Sequence, residues 1–200
     1  MCVTIIVGNN PTQEVRTMNE KQKKELREWI WAIAISLVVI YILRSFVFST
    51  YVVNGLSMEP NFHDGDRMIV NKLIYHIREP KRGEVVILHA NTKSDYVKRV
   101  IALPGDTIRV EGDNVYVNGE KIVEPYLEEA VRVAHEAGMP YNRIDQEEIT
   151  VPDGHVFVMG DNRSHSRDSR SMGPIPISEI VGRSDVVFFP FNSIRIVQHK

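Results

Sequence analysis

The sequence predicts a mainly β fold in which an antiparallel, partly barrel-like domain follows one N-terminal transmembrane helix. Two observations predict this arrangement. Residues 29–48 are apolar over a length that fits a lipid bilayer, and after residue 50 short strand-like runs alternate with frequent turns. The chain therefore divides into a tail at 1–28, a transmembrane helix at 29–48 and a β-rich domain at 49–200.

Composition limits the partners and the source of stability. A net charge of −2 with 25% charged residues gives no reason to expect nucleic acid as a partner. Cys2 is the single cysteine, so no internal disulfide forms and stability must come from the core.

The apolar segment has the features of a membrane span. From Trp29 onward, Ser36 is the only polar interruption before Arg44. The 20 residues of 29–48 would form roughly 30 Å of helix, about the thickness of a bilayer core. Arg44 can reach the far interface with its long side chain, and Trp29 and Trp31 are placed like an interfacial aromatic belt.

Basic residues around this segment predict its orientation. Five Lys or Arg residues lie in the tail, and after Arg44 the next one is Arg67. The positive-inside rule then places the tail in the cytoplasm and residues 49–200 outside, on a single-pass protein of the cell (plasma) membrane. Two alternatives stay open: a helix buried in a core, and a signal peptide cleaved near Val47-Phe48-Ser49.

The first 17 residues differ in character from the rest of the tail. A polar, helix-prone stretch opens at Met18 and leads directly into Trp29. Met18 is therefore a candidate start of the chain beside Met1, and N-terminal sequencing of the native protein would distinguish the two.

Short strands and turns fill the remainder. Asn118-Gly119 is a strong hairpin turn, and a helix is predicted only over Tyr126–Ala137, within the more polar stretch 124–150. The predicted strands cover residues 67–72, 84–88, 98–103, 107–110, 114–117, 155–159 and 185–189.

A serine lies just beyond the membrane segment, in the block Gly55-Leu56-Ser57-Met58-Glu59-Pro60. Asn54-Gly55 permits a sharp turn and Pro60 restricts the backbone. This geometry would expose the Ser57 hydroxyl and leave nearby N–H groups free for an oxyanion. Serine after glycine is also common in ordinary turns, so the block alone fits both interpretations.

Lys98 lies in a strand-like run, where a charge is expensive to bury. Lys98 and Arg99 must point to opposite faces, so we expect one to reach solvent and the other to lie against apolar neighbours. Burial lowers the pKa of an amine from about 10.4, and a drop of about 3 units would let Lys98 act as a base near neutral pH. The alternative is an edge-strand lysine that extends to water.

A dense polar loop, 160–170, follows the strand at 155–159. Its hydroxyls could orient an amine, and an Asp/Arg pair could fix its shape. His165 and Asp168 could instead complete a Ser-His-Asp triad with Ser57.

A second polar cluster, formed by His63, Asp64 and Asp66, could ligate a metal. Its spacing matches no zinc or EF-hand pattern, and a turn before a strand explains it, so no metal site is expected.

Taken together, these blocks resemble the bacterial type I signal peptidase family, in the family's order. The single span and compact length resemble the Gram-positive, single-span type. The matching pieces are Gly-Leu-Ser-Met-Glu-Pro at 55–60, Gly-Asp at 65–66, Asp-Tyr-Val-Lys-Arg-Val-Ile-Ala-Leu-Pro-Gly-Asp at 95–106 and Gly-Asp-Asn-Arg-x-x-Ser-x-Asp-Ser-Arg at 160–170.

The resemblance implies a membrane serine endopeptidase with a Ser-Lys dyad, which cleaves signal peptides from exported preproteins without a cofactor. Ser57 matches the nucleophile, Lys98 the general base and Ser166 the hydroxyl that orients the lysine. Gly55 departs from members that carry a serine there as an oxyanion donor. The residues matching the structural support of the site are Asp161, Arg163, Asp168 and Arg170.

We expect the substrate to bind as an extended segment beside residues 51–55 and 95–97, where it adds a strand by backbone hydrogen bonds. The resemblance implies small side chains one and three residues before the cut. It also implies exported preproteins, the lipid bilayer and the secretion translocon as partners, and makes 124–150 a reduced form of a variable insertion. The residues expected to bind substrate are Val53, Gly55, Asp95 and Tyr96.

Two other functions stay open at this stage. The chain could be a non-catalytic, membrane-tethered module that binds exported segments. It could also be a Ser-Lys peptidase with another substrate, like the self-cleaving repressor-type proteases. Cleavage of a separate preprotein would distinguish these functions.

Overall fold

The computed structural model describes residues 19–91 and 94–199. The chain forms two compact units, the first ending at Tyr41 and the second beginning at Ile42. The predicted start at Met18 and the tail before it lie outside the described residues.

The first unit contains one helix, α1 (Glu20–Ile42), which begins in the polar stretch before Trp29. None of its residues is buried, so its apolar side chains are exposed. A π-helical turn follows at Leu43–Val47, and Phe48 opens a strand instead of ending the helix. Across residues 19–91 and 94–199, no helix combines the length and apolar character required to cross a membrane.

The second unit is built on two antiparallel sheets. The larger sheet contains β1 (Phe48–Val52), β2 (Arg67–Asn71), β3 (Val85–Asn91), β4 (Ser94–Ala102), β9 (His155–Met159), β10 (Ile175–Pro176), β11 (Ile180–Phe189) and β12 (Arg195–Ile196). The smaller sheet contains β5 (Thr107–Glu111), β6 (Asn114–Val117), β7 (Glu120–Lys121) and β8 (Gln146–Thr150).

Both strand orders are open. The larger sheet runs β1-β2-β11-β3-β4-β9-β10 with β12 beside β11, and the smaller runs β7-β6-β5-β8. The mainly antiparallel β fold is therefore confirmed. Each order has two ends in the described part of the chain, so the partly barrel-like arrangement expected from the sequence is not seen.

The core explains why β4 is the strand that holds the site. Apolar clusters lie on both of its faces: Ile101 packs with the smaller sheet, and Val100 packs with Val86 and Val158. Lys98 and Arg99 are consequently 2% and 1% exposed. The expectation that one of them reaches solvent is wrong, because β4 is a central strand covered on both sides.

Three short helices complete the second unit: α2 (Ile74–Ile77), α3 (Glu128–Glu136) and α4 (Ser169–Met172). The helix predicted over Tyr126–Ala137 is confirmed as α3. The Asn118-Gly119 turn joins β6 to β7, with positive φ angles of 54° and 78° that favour these two residues.

Candidate active site

The turn that carries Ser57 is tied down at its base. The β1–β2 pairing extends past β1, because the Val53 N–H donates to the Asp66 carbonyl and the Val53 carbonyl accepts from Gly65. Gly55 adopts a φ of 98°, and its N–H donates to the Asp64 carboxylate at 2.7 Å. The chain can then reverse, and it leaves the Ser57 side chain half-buried.

Lys98 faces this serine from β4. Its Nζ lies 2.9 Å from Ser57 Oγ, a hydrogen-bond distance, and donates to the Val97 carbonyl at 2.9 Å. The Tyr96 ring lies 5.2 Å from the same nitrogen. The Ser57 hydroxyl is therefore paired with an amine on a buried strand, which is the arrangement that a nucleophile and its general base require.

Burial is the main cause of a shifted pKa at this amine. Desolvation lowers the pKa of Lys98 to about 8, although the charges of Asp168 and Asp161 act to raise it and Arg170 adds to the lowering. About a tenth of the lysine is then neutral at pH 7, many times more than for an exposed lysine. The site supplies a usable base near neutral pH.

Ser166 lies near the Ser57 turn, because its Oγ and the Ser57 carbonyl oxygen both border Gly160, and it is 7% exposed. Its Oγ makes no hydrogen bond within the described residues, although it lies close enough to Asp168 to lower the pKa of that carboxyl. The Ser166 hydroxyl can therefore still form a hydrogen bond with an amine.

Gly160 is the point where the polar loop meets the nucleophile turn. A Cβ at this position would lie 2.2 Å from Ser166 Oγ and 2.4 Å from the Ser57 carbonyl oxygen. Asn162 fastens the same contact, since its N–H donates to the Ser57 carbonyl and its Nδ2 to the Leu56 carbonyl. Only glycine fits so close an approach.

A buried ion pair shapes the loop behind this contact. Arg170 donates to both oxygens of Asp168, at 2.9 and 2.7 Å, and Asp168 also accepts from the Gly160 N–H. Burial acts to raise the pKa of Asp168, but the bonds from Arg170 hold it below its ordinary value. The predicted Asp/Arg pair is present and connects directly to Gly160.

A second buried pair joins the loop to β4. Arg99 donates to both oxygens of Asp161, at 2.9 and 2.7 Å, and its guanidinium lies 3.8 Å from the centre of the Tyr126 ring. Arg163 pairs elsewhere, with Glu124. The two faces of β4 thus have separate roles: Lys98 meets the serine, and Arg99 holds the loop.

Several supporting residues come from the stretch predicted as a variable insertion. The Tyr141 hydroxyl donates to the Asp161 carbonyl at 2.8 Å, and the Asn142 side chain accepts from Arg170. Glu124 pairs with Arg163. No motif marks these residues in the sequence, because their partners lie 20 to 39 positions away.

Two alternative constellations do not form. His165 is exposed and its Nδ1 lies 3.3 Å from the Asn162 side chain, while Asp168 is occupied by Arg170, so a Ser-His-Asp triad is wrong. In the turn at 63–66, Asp64 binds the Gly55 N–H. Asp66 pairs with Arg195 at 2.7 Å.

The four residues expected to bind substrate differ in whether their backbone groups are free to pair with it. Val53 is buried and both of its backbone groups bond within the chain, and the Gly55 N–H is also occupied. Asp95 and half-buried Tyr96 lie in β4 before the point where β9 pairs, which starts at Arg99. An added substrate strand could therefore pair with the first residues of β4, but it could not pair with the backbone of Val53.

Comparison with known proteins identifies the family. Residues 26–189 match the family described as signal peptidase, peptidase S26. The chain belongs to this signal peptidase family. A signal peptidase I of Bacillus licheniformis is 45% identical over 176 residues, which cover 87% of this chain and 94% of the relative. Signal peptidase I T of Bacillus subtilis (strain 168) is 44% identical over 190 residues, covering 92% and 98%.

A solved structure of signal peptidase I from Enterococcus faecalis matches 53% of this chain and 97% of its own, with 31% identity and a TM-score of 0.48. As a member of the signal peptidase family, the chain is a serine endopeptidase of the bacterial type I class.

Proposed function

We propose that the chain cleaves signal peptides from exported preproteins, with Ser57 as the nucleophile and Lys98 as the general base. The observation that carries this proposal is the 2.9 Å separation of Lys98 Nζ and Ser57 Oγ, on a buried lysine whose pKa is lowered to about 8. The family membership and the named relatives support the same activity.

The proposed reaction needs only groups of this chain and water. Neutral Lys98 accepts the Ser57 proton while Oγ attacks the scissile carbonyl carbon, and the protonated lysine then donates to the leaving amine. Water hydrolyses the acyl-enzyme with Lys98 again as base. Ser166 is proposed to bond the lysine and orient it, since its buried Oγ makes no hydrogen bond within the described residues and lies near Asp168 and the Ser57 turn.

The oxyanion is proposed to bind at the Ser57 N–H, which donates to no acceptor in the described ranges. Gly55 supplies no hydroxyl, and its own N–H is bound to Asp64. A second donor must therefore be a backbone group or a water. Losing one such donor costs about 2.7–4 kcal/mol in other serine enzymes, so a replacement is expected.

The substrate is proposed to lie as an added strand between two unpaired edges. β1 is the end strand of the larger sheet, and the first residues of β4 extend beyond β9. Tyr51 lies close to Asp95 across this space, and burial followed by Asp95 raises the pKa of Tyr51.

Membrane attachment is also part of the proposal. The basic residues before Trp29, and the exposed apolar side chains that follow in α1, support a single-pass anchor with a cytoplasmic N-terminus and an extracytoplasmic second unit. Enzyme and preprotein would then meet in one bilayer, beside the secretion translocon. A tethered binding module, or a Ser-Lys peptidase with another substrate, would be alternatives to signal peptide cleavage.

In-trans cleavage of a purified preprotein in detergent tests the activity. We expect wild type to cut after an Ala-x-Ala site and Ser57→Ala and Lys98→Ala to lose the activity. Two variants at exposed positions, Ser178→Ala and Lys121→Ala, are the matched controls and should cut normally. Inactivity of wild type on several preproteins would favour the binding module. Full activity of Lys98→Ala would exclude Lys98 as the general base.

A further inference from the structure

A groove runs between α3 and the turn that follows Ser57. Glu59, Pro60 and Asn162 line one wall. The other wall consists of apolar side chains of α3 and the residues after it, chiefly Val133, Ala137 and Met139.

The position of the groove relates it to the scissile bond. Asn162 in its wall donates to the carbonyls of Leu56 and Ser57. The groove shares no lining residue with β1 or β4, the two edges proposed to bind the segment before the cut. The part of a substrate that follows the cut needs another path from the serine, and this groove begins two residues beyond it.

The walls combine exposed apolar surface with one unbalanced charge. Val133 and Met139 are 51% and 50% exposed, which is high for side chains of their size. Glu129 in the groove pairs with Arg132, which also pairs with Glu136. Glu59 has no ion pair or side-chain hydrogen bond among the described residues. Two residues of chain span at most about 7 Å, so this carboxylate stays close to the Ser57 backbone.

We propose that this groove binds the first residues of the mature chain, the segment after the scissile bond, and that Glu59 attracts its new α-ammonium group. The inference rests on the proposed function. Acylation breaks the peptide bond, and the proton from Lys98 converts the leaving nitrogen into a neutral amine. This amine then takes up a second proton from water, because the pKa of an α-amino group is about 7.7–8.0, so at pH 7 a cation arises at the new N-terminus near Ser57. Charge complementarity with Glu59 and the apolar wall of α3 favour this occupant over an unrelated protein.

Product inhibition tests the inference. Wild type is assayed at pH 7 in detergent on an Ala-x-Ala peptide substrate, in the presence of a hexapeptide that copies the mature N-terminus. A second hexapeptide is identical but N-acetylated, which removes the charge. We expect the free amine to inhibit about threefold more strongly, the worth of a partly exposed ion pair.

Two groove variants and one control sharpen the result. Glu59→Gln should abolish the difference between the two hexapeptides, and Val133→Asn, which is polar but uncharged, should weaken inhibition by both. Glu120→Gln removes an exposed carboxylate of β7 outside the groove and should behave like wild type. Equal inhibition by both peptides in wild type, or a difference that survives Glu59→Gln, would overturn the inference.

Failure of the proposed function gives a different pattern. Wild type would then cleave no Ala-x-Ala substrate, and the groove is tested by equilibrium binding of the labelled hexapeptides to the Ser57→Ala protein. Preferential binding of the free-amine hexapeptide would support the groove as its binding site. Absence of binding by either hexapeptide would overturn the proposal.

Discussion

We predict that Lys98, the proposed base, sets the pH at which the site works. Its pKa of about 8 means that the neutral, basic form increases steeply between pH 6 and pH 8. We expect kcat/KM for a peptide substrate to rise about tenfold per pH unit below that value and to level off above it. A pH–rate profile measures this. A flat profile from pH 6 to 9 would exclude Lys98 as the base.

The same burial makes Lys98 unfavourable for stability. The folded pKa is below the unfolded one, so the penalty is complete below pH 8 and disappears as pH rises towards 10.5. Lys98→Met should raise the free energy of unfolding at pH 7 by on the order of 2 kcal/mol. Urea titrations of the full chain in detergent should show this gain shrinking at pH 9.5; an equal gain at both pH values would contradict it.

Gly160 is predicted to tolerate no side chain. Gly160→Ala would force the Ser57 carbonyl and the Ser166 side chain to move, because its Cβ would overlap both. A shift of about 1 Å in such a site costs about 100-fold in rate, so we expect activity to fall by that factor.

Gly138→Ala is the matched control for this substitution. Gly138 has a φ of 71° and open space around its Cβ position, so the variant loses stability through backbone strain alone. It should stay active in the same peptide assay. Equal activity of the two alanine variants would show that the contact at Gly160 is not needed for catalysis.

Among elements, the loop 160–170 depends on its buried charges. Arg170→Met would leave the Asp168 carboxylate buried without its partner, which costs about 3–5 kcal/mol of stability. The double variant Asp168→Asn with Arg170→Met removes both charges and should recover a large part of that loss. Denaturant unfolding of the three proteins checks this. If the double variant is no more stable than Arg170→Met, the ion pair is not the cause.

The stretch 124–150 is predicted to stabilise the loop that carries the site. Tyr141→Phe deletes the hydroxyl that holds the Asp161 carbonyl, and we expect a loss of about 1 kcal/mol in unfolding free energy. Tyr116→Phe is the control, since Tyr116 packs against Arg109 through its ring. Equal losses in both variants would contradict a specific role for the Tyr141 hydroxyl.

Sequence reasoning succeeded where chemistry is local and failed where it is not. The α3 helix, the Asn118-Gly119 turn and most strands were predictable from short patterns. β8 was not, because its residues 146–150 include only one apolar side chain, Ile149. The pairing of Ser57 with Lys98 could be inferred only from the resemblance of several blocks. The contacts of Tyr141 have no sequence pattern, since they arise when distant segments pack.

At the scale of the whole molecule, α1 is predicted to retain the enzyme in the membrane. Val38→Lys would put a charge in the middle of the apolar run, at a cost of about 3 kcal/mol per residue at the centre of a bilayer. We expect a larger fraction of this variant to be extracted from membranes by alkaline carbonate. Lys24→Gln, outside the run, is the control. Equal extraction of all three proteins would count against an anchor at α1.

Gly160 also bears on when the protein becomes active. Ser57, Lys98 and Gly160 lie in three separate segments, and Gly160, which fits against the Ser57 carbonyl, is synthesised last of the three. A nascent chain in which Ser57 and Lys98 are already synthesised still lacks Gly160 and the loop that contacts the Ser57 turn. We therefore expect a nascent chain in which residue 160 is not yet synthesised to cut neither its neighbours nor itself.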